Sequence, residues 1–199
     1  KGALKKDAGL ILQDKSAKQI AMETWPLAQW PDGSLKWTAH AIGSQEMLPE
    51  GLVLKSGKSV ATGGRIKVNE LSDSIEIHTG VISCKINKKG NTIIASVSRD
   101  GKVALQSGKL VLQVQDKPDH EPGQSISTAL FEGSTDNVTI EQKGSVRAVV
   151  KIEGKHSTDS KKLLPFVIRL YFYEGSDAIR IMHTIVYDGD ENKDFIKGL

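Results

Sequence analysis

Hydrophobic and polar positions alternate along most of this chain. Val146, Ala148, Val150 and Ile152 share one side of a run, and Arg147, Val149, Lys151 and Glu153 share the other. Ile179, Ile181, His183, Ile185 and Tyr187 repeat the pattern near the end, and Ile75 and Ile77 begin another such run. Alternation of this kind sends successive side chains to opposite faces of a strand, one of them against a core. Turn dipeptides separate the runs: Asp32-Gly33, Gly90-Asn91, Asp100-Gly101, Lys143-Gly144, Gly175-Ser176 and Asp188-Gly189. Asp100-Gly101, between runs at 94–99 and 102–106, is the strongest hairpin signal, because a two-residue turn of that type needs positive φ. Strands this closely spaced predict an all-β sandwich or barrel. Helical periodicity is weak; residues 14–24 fit a short helix or, in Gln19 to Thr24, a strand. Residues 56–64, 116–127 and 155–162 read as polar or turn-rich loops. A boundary near residue 72 divides a 1–72 unit from a 73–199 unit, with the 56–64 loop as the alternative boundary.

Composition sharpens this picture. With 199 residues, 38% hydrophobic and 26% charged, the chain has enough apolar material for a real core. Its 27 basic and 24 acidic residues leave a net charge of +3, too even for a nucleic-acid footprint. The lysines at 85, 88, 89, 102 and 109 are dispersed, with acids between them. No apolar run approaches the ~20 residues of a membrane-spanning helix; the longest, at 163–173, is broken by Pro165 and Arg169. The single cysteine, Cys84, sits in a strand-like run and reads as a small buried thiol rather than a nucleophile. The chain begins at Lys1 rather than an initiator methionine, and so reads as processed or cut from something longer.

Candidate chemistry concentrates in residues 25–40, which hold all three tryptophans: Trp25, Trp30 and Trp37. Clustered tryptophans either fill a core or offer flat faces to a sugar ring. Trp25 and Trp30 each precede a proline, which favours extended backbone at a strand end or loop. Lys36, Thr38 and His40 share the polar face of the following strand, opposite Trp37, Ala39 and Ala41. His183 lies on an apolar strand face, where a histidine is ordinarily a core residue and otherwise a general base. No CxxC, HExxH or Walker loop occurs, no cofactor motif is evident, and the five histidines lack metal-ligand spacing. The oxygen-rich turn at 188–192 is a candidate calcium turn, but it lacks the full loop such sites use.

One stretch carries a family resemblance. Ala28-Gln-Trp-Pro-Asp-Gly-Ser-Leu-Lys-Trp-Thr-Ala-His-Ala-Ile42 resembles the N-terminal signature of the exo-rhamnogalacturonan lyase-like (YetA-like) family. Lys1-Gly-Ala-Leu4 with Gly9-Leu-Ile-Leu-Gln-Asp14 is similar to that family's opening strand. Tyr187-Asp-Gly-Asp190 with Asp194-Phe-Ile-Lys-Gly-Leu199 is similar to a segment inside its second domain. The resemblance implies a small RIFT-type β-barrel, then an antiparallel β-sandwich, then an α/α toroid that this chain does not supply. It also implies secretion to the periplasm or beyond, and an acidic plant-type polysaccharide as partner, with no membrane or nucleic acid involved. Such lyases abstract the proton α to a uronate carboxyl and expel the 4-linked sugar. That chemistry needs a base and a group neutralising the carboxylate. His183 and Tyr187 are the candidate catalytic residues here, with Arg180 on the opposite strand face. Trp25, Trp30, Trp37 and His40 are the candidate carbohydrate contacts.

Three readings follow: the non-catalytic β region of a polysaccharide lyase, a stand-alone carbohydrate-binding module, or a structural module without ligand. An incomplete sandwich also leaves strand edges unpaired, which predicts association of the isolated chain.

Overall fold

The alternating runs become strands, and the best buried of them are those whose apolar side a second sheet covers. In the computed structural model, which describes residues 2–43, 50–58, 65–118, 123 and 125–199, no helix occurs among the described residues. The N-terminal unit contains β1 (Leu10–Gln13), β2 (Gln19–Ile20), β3 (Met22–Gln29), β4 (Leu35–Ile42) and β5 (Val53–Ser56). Strand β1 lies between β2 and β5, and β3 pairs with β4 as an antiparallel hairpin. The stretch read as helix or strand at 14–24 is therefore strand, entered through a turn in which Ala17 takes φ 63°.

A five-stranded antiparallel sheet follows. It is built from β6 (Lys67–Glu70), β7 (Ser74–His78), β8 (Ile82–Asn87), β9 (Thr92–Arg99) and β10 (Lys102–Lys109), in order 10-9-8-7-6. Its β9–β10 turn has Asp100 at φ 50° and Gly101 at φ 74°, as the two-residue hairpin signal requires. A boundary near residue 72 falls inside this sheet, between β6 and β7, because Lys67–Glu70 is already hydrogen-bonded to β7. The alternative 56–64 loop precedes the sheet, and residues 59–64 lie outside the described residues.

The second sheet has six strands: β11 (Val111–Gln115), β12 (Thr128–Lys143), β13 (Arg147–Ser157), β14 (Lys162–Tyr173), β15 (Arg180–Ile185) and β16 (Phe195–Gly198). Their order is 15-14-13-12-11-16. The two sheets close on one core. Ile75, Ile77, Cys84 and Ile86 face Ala148, Val150, Ile152, Leu170 and Phe172, all of them buried. Burying each large aliphatic or aromatic side chain contributes roughly 1.5–3 kcal/mol. A smaller cluster of Leu112, Val114, Phe131, Leu163 and Leu164 closes one end.

Two local expectations are corrected here. The polar stretch at 155–162 holds a loop of only four residues: β13 runs through Ser157 and β14 starts at Lys162. His156 within it is fully buried, because the sheet continues there and turns its side chain inward. Of the run from Ile179 to Tyr187, expected to set one face against a core, Ile179 packs against it, whereas Arg180–Ile185 forms an exposed edge strand. Every residue of β15 is exposed, at the end of its sheet, with β14 on one side and no strand on the other among the described residues.

Candidate functional site

Strand β3 points Glu23 and Trp25 to the same side, two residues apart, as strand geometry dictates. Both meet the second sheet. The Glu23 carboxylate accepts hydrogen bonds from the Val146 backbone N–H at 2.9 Å, Ser145 Oγ at 3.4 Å and Gln142 Nε2 at 3.4 Å. Trp25 lies over the Arg147 guanidinium, 4.7 Å from ring centroid to Cζ. Arg147 stands on the outer face of β13 and also meets the rings of Tyr171 at 4.9 Å and Tyr173 at 5.9 Å. Arg180 approaches Tyr171 at 5.7 Å. A cleft of about 330 Å³ opens here, lined by Trp25, Glu141, Gln142, Arg147, Val149 and Tyr171. Glu141 is held below the usual carboxylate range, first by its bidentate pairing with Arg169 at 2.7 and 3.0 Å.

The other tryptophans have different surroundings. Trp30 lies under the Lys36 ammonium at 4.6 Å, beside the turn that Asp32 caps by accepting the Ser34 N–H at 2.9 Å. Trp37 is 63% exposed. His40 is exposed, and its ring nitrogens meet Thr24 Oγ1 at 2.9 Å and Thr38 Oγ1 at 3.0 Å.

His183 and Tyr187 have separate neighbours. The His183 ring meets Phe166 edge-on at 6.2 Å. Partial burial there lowers its pKa, and the nearby His156 lowers it further. Tyr187 donates its hydroxyl to the Asp194 carbonyl at 3.2 Å. Arg180 reaches the outer-face tyrosine, whereas His183 lines a groove between the sheets with Ile168 and Leu170. His156 is deeper still: Nδ1 meets the Leu164 carbonyl at 2.8 Å, and the buried Nε2 has no partner. Desolvation pulls its pKa below the ordinary value, against the pull of the Leu164 and Leu163 carbonyls.

In the oxygen-rich turn the carboxylates serve protein partners. Asp188 accepts the Leu164 N–H at 2.7 Å and pairs with Lys155 at 2.8 Å. Asp190 accepts the Asn192 N–H at 2.9 Å and pairs with Lys193 at 3.2 Å. Asp194 is buried, accepts the Asp190 N–H at 2.8 Å and pairs with Lys161. Partial burial alone would raise Asp188 and Asp194; these partners outweigh it and hold both below the usual range. Among the described residues no group of three or more His, Cys, Asp or Glu is arranged to hold a metal ion.

Both β units have counterparts among known families. Residues 1–57 match the PcRGLX-like N-terminal RIFT barrel domain, and residues 66–199 match the PcRGLX-like protein central beta sandwich domain. The chain belongs to the PcRGLX-like family. The uncharacterized protein YetA of Bacillus subtilis (strain 168) is 34% identical over 203 residues, an alignment covering 100% of this chain and 24% of that protein. The chain thus spans 24% of that relative's length.

The cleft of this PcRGLX-like chain consequently lies where barrel meets sandwich. Of its lining, sequence reasoning singled out Trp25 alone. Arg147 and Tyr171 sit on the solvent side of their alternation, where a cation or a tyrosine is unremarkable. A faint signal existed in Arg147, Tyr171, Tyr173 and Arg180 all falling on outer positions of adjacent strands, but only the register Arg147↔Tyr173 and Tyr171↔Arg180 makes them a group.

Proposed function

We propose that this chain is the non-catalytic β region of a polysaccharide lyase similar to the exo-rhamnogalacturonan lyases. Barrel and sandwich act as one support for a catalytic α/α toroid elsewhere in a longer, secreted polypeptide, working in the periplasm or outside the cell. The substrate is an acidic plant-type polysaccharide. The observation that carries the reading is the consecutive match of both units to PcRGLX-like domains, with a relative of which this chain covers 24%. The placement of His183 and Tyr187 supports a non-catalytic role, since each is engaged with a different neighbour.

The reaction itself is a β-elimination. A base takes the proton from C5 of the uronate, the electron pair forms the C4–C5 double bond, and the C4–O bond breaks, its oxygen taking a proton from an acid as the preceding sugar leaves. The test follows the ultraviolet absorbance of the unsaturated uronate on rhamnogalacturonan and other acidic glycans. A polypeptide carrying this chain plus the remaining length of its relatives should be active, and the 199-residue chain alone inactive. Activity in the short chain would move catalysis onto the β region, with His183 and Tyr187 as first substitutions. Silence from both would favour the second reading, a carbohydrate-binding module, which the exposed face of Trp37 supports.

A further inference from the structure

The junction cleft holds a cation that no carboxylate among the described residues answers. Arg147 is stacked among Trp25, Tyr171 and Tyr173, yet its side chain forms no ion pair among the described residues, and its buried Nε has no hydrogen-bond partner. Arg180, on the same tyrosine, likewise pairs with no carboxylate among the described residues; its guanidinium meets Met182 Sδ at 4.0 Å. The nearby acids are already committed. Glu141 is bound bidentately by Arg169, and Glu23 accepts from the 142–146 turn. A guanidinium has five donors in a planar fork that matches a carboxylate, and leaving one without an acceptor in a half-buried aromatic setting is costly. The cleft, at about 330 Å³, has the volume of a small-ligand site. Trp25 offers an aromatic face, and Gln142 supplies an amide donor and acceptor for hydroxyls.

We infer that the barrel–sandwich cleft is a binding site for an anionic sugar, with a uronate carboxylate on Arg147, assisted by Arg180, and the ring against Trp25. The inference deepens the carbohydrate side of the proposed function and rests on it for the choice of sugar. Arg147 holds the charge, the aromatic rings exclude water around it, and neither group transfers a proton or bond. The site is a recognition point on the β region.

The test measures binding of trigalacturonate and of its fully methyl-esterified form to this chain by titration calorimetry, with the Trp25 indole N–H followed by NMR. The acid should bind at least ~10-fold more tightly than the ester, because charge-assisted hydrogen bonds are about twice as strong as neutral ones. That preference should shrink as salt rises. Arg147→Gln should abolish it, Arg147→Lys should restore little because the planar fork is gone, and Arg180→Gln should reduce it a few-fold. Equal binding of acid and ester would overturn carboxylate recognition while leaving a sugar platform. No binding of either would overturn the site, and the lyase assay on the longer polypeptide would still decide the proposed function. If Arg147→Gln lowers the thermal midpoint and leaves the acid preference intact, the stack is a structural staple and the inference fails. Arg180→Gln keeps the test open should Arg147→Gln not fold, because Arg180 lies on the exposed edge strand.

Discussion

The Glu23 carboxylate accepts the backbone N–H of Val146 at 2.9 Å, across 123 residues of sequence. The bond ties the N-terminal hairpin to the turn that joins β12 and β13, and so sets the position of Trp25 over Arg147. It also explains a glycine. A Cβ on Gly144 would stand 1.9 Å from Glu23 Oε1, so the carboxylate occupies the space a side chain would need. On the other side of the junction Glu174 does similar work, accepting the Arg65 N–H at 3.3 Å, with a Cβ on Gly43 only 3.0 Å from its Oε2.

Gly144→Ala should therefore displace Glu23 and release the Val146 N–H. The expected loss is roughly 1–3 kcal/mol, the penalty for a partly buried donor left unsatisfied. Urea denaturation checks the magnitude, and hydrogen exchange at the Val146 amide checks the site. A variant as stable as the parent, with that amide still protected, would show that the contact contributes nothing.

Stability should fall as pH drops below about 6.5. Burial lowers the His156 pKa in the folded state, so the unfolded chain takes up its proton first. The contribution is fully present above the unfolded value and is lost as pH falls through it, at no more than about 1.4 kcal/mol per pH unit for one proton. His183 is also lowered and acts in the same direction, discounted for its exposure. Asp188 and Asp194 act in a separate window, losing their contribution as pH falls below the ordinary carboxylate value of 3.8. Denaturation curves at pH 7, 6 and 5 for the parent and His156→Gln test this. Identical slopes would remove His156 from the account.

Cys84 should resist thiol reagents in the folded protein. It is buried in β8 between Ile77 and Val97 of the neighbouring strands, and burial pushes its pKa up to about 12. Almost no thiolate exists at neutral pH, and the thiolate is the reactive form. Labelling should proceed only at the rate of opening and become rapid in denaturant. Fast labelling under native conditions would contradict the packing of this core.

The free edge of β15 should make the isolated chain associate. Ile181 is 55% exposed and Met182 46%, on a strand with one side unpaired. Light scattering should show a molar mass rising with concentration, and Ile181→Lys should suppress the rise by placing a charge on the edge. A clean monomer over the whole range would mean that the edge is adequately protected by its twist or by Arg180.

The sequence by itself determined the strands, the hairpin at Asp100-Gly101 and the membership of residues 25–42 in a family motif. These are local properties. Alternation fixes which side of a strand is apolar, and positive φ fixes which dipeptide can turn. It misjudged His156, because lysines and serines around a buried histidine read as a loop, while the inward direction of one strand residue depends on a partner strand. It misjudged Ile181, Ile185 and Tyr187, because alternation names an apolar face without saying whether another sheet will cover it. Arg147 shows the same limit from the polar side. Its position marks it as outward-facing, and only the tertiary structure lays Trp25 over it, through a hairpin more than a hundred residues earlier. Period and turn chemistry are encoded along the chain; which distant element covers a given face is a matter of sheet order and docking, and those exist only once the chain has folded.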